Sequence, residues 1–186
     1  LAYWMADRID QLVMHHLSGV DTTLRMDGTA RRGSDFPYLE FNQDIRAPSL
    51  GRHFRWDDTD GLVASPSTTD IAATDLPSYE MLVELKAMAQ ELHMKPVRGT
   101  SLGTEMYHVF LHPRAMKHLK LDDKFHAAWK DAMPRNPNNP LFKDSDAVYV
   151  DNLLITPTRY SFHPATWGAG TQKGNRIVLA GAQARG

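Results

Sequence analysis

Met106-Tyr-His-Val-Phe-Leu111, running into His112-Pro113-Arg114, is the most strand-like stretch of the chain. Aromatic and branched residues dominate it, and Pro113, which has no N–H to give a ladder, closes it. Ala115–Leu119 then has room for one helical turn. Lys124–Met133 reads as a helix, with Phe125, Ala128, Trp129 and Ala132 on one face and Pro134 ending it. After the polar, proline-rich loop Arg135–Pro140, two strands are expected at Ala147–Val150 and Leu153–Ile155. They flank an Asp151–Asn152 turn, and Ile177–Ala180 is a last strand candidate.

Upstream, Met5, Ile9, Leu12, Val13 and Leu17 recur at helical spacing over Ala2–Leu17, and Ser18–Gly19 supplies the stop. A second helix is expected from Pro77 to His93, striped by Met81, Leu82, Leu85, Met88, Ala89 and Leu92. Such stripes face a core or a subunit interface. Between the helices, Gly28, Gly33, Pro37, Pro48, Gly51, Gly61 and Pro66 interrupt residues 20–75. No long helix fits there; short β pieces fit Tyr38–Phe41 and Leu62–Ala64, and the remainder reads as loop or extended arm that contacts neighbours. Helix, arm, helix, strand, helix and strands in that order argue an α+β layer structure rather than a doubly wound parallel sheet.

Composition narrows the function. The chain has 186 residues and 21.0 kDa, with 42% hydrophobic and 23% charged residues, as in ordinary globular domains. Twenty-one Lys+Arg against 22 Asp+Glu leave a net charge of -1, so no bulk field draws it onto nucleic acid or anionic lipid. Cysteine is absent, which excludes disulfides, thiolate metal sites and thiol catalysis. No run approaches the ~18 apolar residues of a membrane span. The start lacks the pattern of a signal peptide, which suits an intracellular or assembled-particle setting without a membrane. The chain opens on Leu1 and reads as a piece of something longer.

The motifs that look chemical dissolve on inspection. Gly99-Thr-Ser-Leu-Gly103 has the letters of a nucleophile elbow, but that chemistry needs a strand before the serine and a helix after it, the reverse of the order here. His108 and His112 lie about 13 Å apart on a strand, too far for one metal ion. Asp57, Asp58, Asp60 and Gly61 lack the opening carboxylate and closing glutamate of a calcium loop and read as a solvated turn. Gly168, Gly170 and Gly174 miss the dinucleotide spacing by one residue. Arg31 and Arg32, with Arg52, Phe54, Arg55 and Trp56, form a small basic-aromatic set. It suits either nucleic acid or a neighbouring acidic chain, and these six are the candidate inter-subunit contacts.

The order of these pieces resembles a known family. The run Tyr107–Arg114, Trp129, Asn139-Pro-Leu-Phe142, Tyr149-Val-Asp-Asn152, Leu154-Ile155 and the closing Ala180–Ala184 are similar to the major capsid proteins of tailed double-stranded DNA phages, more narrowly to their N-four-like branch. Ala6–Asp10 with Leu17-Ser-Gly19 looks like the end of that family's spine helix, and the helix at 77–93 like one in its following domain. The resemblance implies the Hong Kong 97-like α+β fold. Residues 1–76 would be the end of the spine helix and an arm, and residues 77–186 an axial-domain-like region. It further implies a virion subunit, assembled in the host cytoplasm into hexamers and pentamers around non-specifically held DNA. No catalytic residue, cofactor or metal is implied. Two other readings compete with it: a nucleic-acid-interacting module on residues 52–56, and a metal hydrolase on His108, His112 and His118.

Overall fold

The computed structural model describes residues 2–32, 45–65, 67–98, 105–132 and 147–182. In chain order the elements are α1 (Ala2–Ser18), a 3-10 turn (Leu50–Arg52), β1 (Phe54–Asp57), β2 (Gly61–Ala64), α2 (Tyr79–Glu91), β3 (Val97–Arg98), β4 (Glu105–Leu111), α3 (Pro113–Leu121), α4 (Asp123–Ala132), β5 (Val148–Val150), β6 (Leu153–Pro157) and β7 (Val178–Ala180). The β pieces expected at 38–41, the glycine turn at 99–103 and the loop at 139–142 fall outside the described residues.

β4 is the hub. It pairs in parallel with β6 (Val109 opposite Ile155) and antiparallel with β7 (Val109 opposite Leu179) on its other edge. That second edge is extended by β3, where Val97 faces Met106. Ala182 N–H donates to Lys95 C=O (2.8 Å), so β3 and β7 meet end to end along it. β5 and β6 make the expected hairpin. Its turn residues Asp151 and Asn152 both take positive φ, 49° and 60°, the twist a two-residue hairpin requires and one these side chains tolerate.

Alternation along β4 sorts its side chains. Tyr107, Val109 and Leu111 are buried on one face, against Leu82 of α2, Leu119 of α3, Phe125 of α4 and Ile155 of β6. The helices that cover this face are pinned by polar caps. Ser78 Oγ accepts Met81 N–H at the start of α2, and His112 Nδ1 accepts Arg114 N–H at the start of α3 (3.2 Å). Asp122 accepts from Tyr79 N–H (2.6 Å) and Lys124 N–H (3.2 Å), joining α2 to the α3–α4 corner.

β4's other face, with His108 and Phe110, looks towards α1 across a groove of about 1090 Å³. Asp7 of α1 accepts from Arg159 and from the Tyr160 hydroxyl, and Arg176 donates to Ser18 C=O. Gly19 (φ 59°) ends α1 in the left-handed conformation, as its sequence predicts. Described portions of the stretch read as loop or extended arm also make contacts within this chain. Leu24 bridges Ala30, His163 N–H donates to Met26 C=O (2.8 Å), and Glu84 of α2 accepts Leu62 N–H of β2 (3.0 Å).

Two histidines are locked neutral by this packing. Fully buried His15 donates from Nδ1 to Val20 C=O (3.2 Å) and accepts from Arg31 at Nε2 (2.9 Å), and burial above all holds its pKa below the ordinary value. His112 stacks on His163 with ring centroids 3.9 Å apart. Burial, with the charges of His163 and Arg114, pushes His112 down to about 4.

Phe125, fully buried among three helices and the sheet, makes Phe125→Ala the expected severe core lesion: about 3–5 kcal/mol of unfolding free energy lost in urea titration. A neutral His112 contributes stability that is whole above pH 6.5 and is lost as pH falls from 6.5 towards about 4, where the unfolded chain binds a proton and the fold does not. His112→Asn keeps the N-cap acceptor but cannot titrate. Urea titrations at pH 7 and pH 4.5 should therefore show a smaller acid loss in the variant than in the parent.

Candidate assembly surface

The six residues singled out from the sequence divide into two groups. Arg31 is an internal tie: besides its contact with His15, its Nε donates to Leu24 C=O (3.2 Å). Arg32 lies beside it, exposed. Neither lines the surface formed by the other four. Arg52, Phe54, Arg55 and Trp56 all line one cleft of about 1050 Å³, bounded by the 45–77 segment on one side and by α2, the start of α3 and the 167–181 segment on the other.

The β1–β2 hairpin positions Phe54, Arg55 and Trp56, with Arg52 in the 3-10 turn before it, and β1 itself was not anticipated. Phe54-Arg-Trp-Asp57 does alternate apolar and charged residues, but over only four positions, and all four are half-buried in the fold. Its turn is the proposed solvated one: Asp57 Oδ1 accepts Thr59 N–H (3.0 Å) and Asp60 N–H (3.3 Å). Arg55 Nη2 pairs with Asp57 (3.1 Å), and Trp56 packs against the core.

The cleft is more basic than the net charge suggests. Six Lys/Arg side chains line it, including Arg114, Lys173 and Arg176, against one carboxylate, Asp75, which already accepts Ala72 N–H (2.8 Å). Arg55 Nε, Arg114 Nη1, Arg176 Nε, Trp56 Nε1 and Asn175 Nδ2 are buried without an acceptor among the described residues. Burial pulls Arg176 below the ordinary arginine value, and burial together with the charge of Arg176 lowers His53. Sequence reasoning missed Arg114, Lys173 and Arg176, because residues 59 and more positions downstream of Arg55 reach the cleft only through the sheet.

A second surface is apolar. Met5 (51% exposed), Ile9 (56%) and Val13 (43%) form a stripe on the outside of α1, whereas Met14, His15 and Ser18 turn inward. Core or interface were the alternatives for the full stripe; Leu12 and Leu17 are half-buried, and Met5, Ile9 and Val13 lie outside the core of the chain. Among the described residues no group of three His, Asp or Glu side chains could hold a metal ion, and no helix is long and apolar enough to cross a membrane. His108 sits edge-on to Phe110, His112 caps α3, and His118 lines the cleft.

Comparison with known proteins identifies the architecture. The capsid of Ralstonia phage GP4 superposes with a TM-score of 0.69 at 19% identity, over 96% of this chain and 48% of that one. The cyanophage Pam1 capsid asymmetric unit gives 0.61 at 18%, over 97% and 51%. The α+β fold is therefore that of phage capsid proteins. In sequence, the major capsid protein of Pseudomonas phage KPP25 is 44% identical over 194 residues, all of this chain and 51% of that protein. The chain thus spans about half the length of the relatives it matches. The family model described as phage capsid protein matches residues 1–186, from end to end, and the chain belongs to that family.

Proposed function

We propose that the whole protein of which this chain is part is a structural, non-catalytic shell subunit of a phage virion. It assembles in the host cytoplasm into hexamers and pentamers of the Hong Kong 97-like type and encloses the genome. The observation that carries this reading is the end-to-end family match. On this reading residues 1–76 are the end of a spine helix with its arm, and residues 77–186 belong to an axial-type domain. The inner face meets DNA without sequence preference, and a net charge near zero suits a container that encloses DNA without gripping it.

The exposed stripe of α1 supports the assembly role. Three large apolar side chains at i, i+4 and i+8 are costly to leave in water, at about 25 cal/mol per Å² of apolar area, and a neighbouring subunit removes that cost. Electron microscopy and sedimentation of the full-length protein test the reading: closed shells or capsomer rings are expected, and a persistently monomeric protein would refute it. Ile9→Glu places a charge on the stripe without touching the core. Its thermal midpoint should stay within about 2–3 °C of the parent, as for a surface change, while shell yield drops.

A further inference from the structure

The basic cleft and the outer end of the hairpin that walls it carry opposite charge. Arg52 lies in the 3-10 turn before β1 and Arg55 within β1, while Asp58 and Asp60 form its exposed turn. Arg55 and Asp58 are three positions apart, about 10 Å along the strand. Asp58 belongs to a cluster with Glu80 of α2 and Asp122 of the α3–α4 corner, gathered around Lys124. The bond to Glu80, then the charges of Glu80, Asp122 and Asp58, raise the lysine's pKa. A chain with a net charge of -1 therefore holds a cationic recess with an anionic turn at its rim, where Asp58 N–H donates to Asp75 of the cleft wall (3.4 Å).

From this we infer that the cleft is a receptor for the carboxylate cluster of a second copy of the same chain. The contact joins Arg52, Lys173 and the recessed Arg114 and Arg176 of one copy to Asp58 and Glu80 of the next. Such a contact is heterologous, head to tail, and closes into a ring when its rotation permits. The inference rests on the shell-subunit reading and names the surfaces through which subunits pair.

Three features favour a protein partner over duplex DNA. Apolar side chains also line the cleft, among them the half-buried Trp56, Ile71, Met88 and Trp167. Phosphate backbones on a convex rod would meet the exposed Arg52 and Lys173 but leave the recessed Arg114 Nη1 and Arg176 Nε without an acceptor. The same chain carries the matching carboxylates, and complementary surfaces of this kind set register and association rate.

The experiment uses the full-length protein, with the parent as the first arm. If the parent forms no ring or shell, the shell reading itself fails, whatever the cleft does. With an assembling parent, Arg52→Glu/Lys173→Glu and, separately, Asp58→Lys/Glu80→Lys are compared by sucrose gradient and microscopy. All four positions are exposed; because Glu80→Lys also breaks the pair with Lys124, the melting of every variant is measured beside the parent's, and only folded variants are compared. Each double variant should lose shell yield by about tenfold or more, and the quadruple variant, with the charges exchanged, should regain most of it. Should a reversal prevent folding, Arg52→Gln/Lys173→Gln gives the same readout, expected as shells that dissociate at lower salt than the parent's. Folded double variants that assemble at parental yield would overturn the inference, as would an exchange that restores nothing. Normal shells combined with weakened, salt-dependent retention of a duplex DNA probe by the cleft variant would overturn it too and assign the cleft to nucleic acid.

Discussion

The parallel pairing of β4 with β6 is the constraint on which the rest of the structure hangs. Parallel neighbours cannot be joined by a tight turn, so the chain must leave the sheet after Leu111 and return before Leu153. α3, α4 and β5 are the described parts of that excursion. The helices cover one face of the sheet, which is why the buried set Tyr107, Val109 and Leu111 meets Leu119 and Phe125. The same pleat turns His108 and Phe110 to the opposite side, where α1 crosses over the second groove. One strand register thus decides which face becomes core and which lies beneath the helix.

Helix placement follows from polar ties more than from apolar burial on the α1 side. Asp7 reaches Arg159 and Tyr160, and Arg176 reaches the carbonyl of Ser18, while Met5, Ile9 and Val13 stay outside. A helix held by directional bonds on one flank can keep an apolar stripe free on another. That arrangement costs the isolated chain solvent-exposed apolar area and returns it when a partner arrives, the behaviour of a surface designed for association rather than for a self-sufficient core. Electrostatics follow the same logic: a cationic recess carries an anionic turn at its rim, so that compensation is available between molecules as well as within one.

Much of the architecture was readable in advance. The helices at 2–18, 79–91 and 123–132 carry apolar residues at helical spacing, and the hairpin at 148–157 is announced by Asp-Asn between two branched runs. These are local signals, and local signals survive because backbone sterics and periodicity act over a few residues. The β1 strand escaped notice because its apolar–charged alternation, Phe54-Arg-Trp-Asp57, runs for only four residues. Arg55 and Asp57 share one face of the strand and pair across it. The internal tie of Arg31 was not legible either: nothing local in Arg31-Arg32 points to the buried histidine sixteen residues earlier that accepts from it.

By itself the sequence determined the secondary structure near its strongest periodicities, the α+β class, the lack of thiol chemistry and, through the order of its His-Pro, Asn-Pro and Asp-Asn turns, the family. Each rests on residue type and short-range spacing. Only the tertiary structure decided that the α1 stripe faces outward, that His112 and His163 stack, and that Arg114, Lys173 and Arg176 join Arg52 and Arg55 around one cleft. These facts depend on pairs separated by up to 158 positions, such as Arg176 and Ser18. Periodicity carries no information over that distance, since the angle at which two elements meet is set by how their side chains pack.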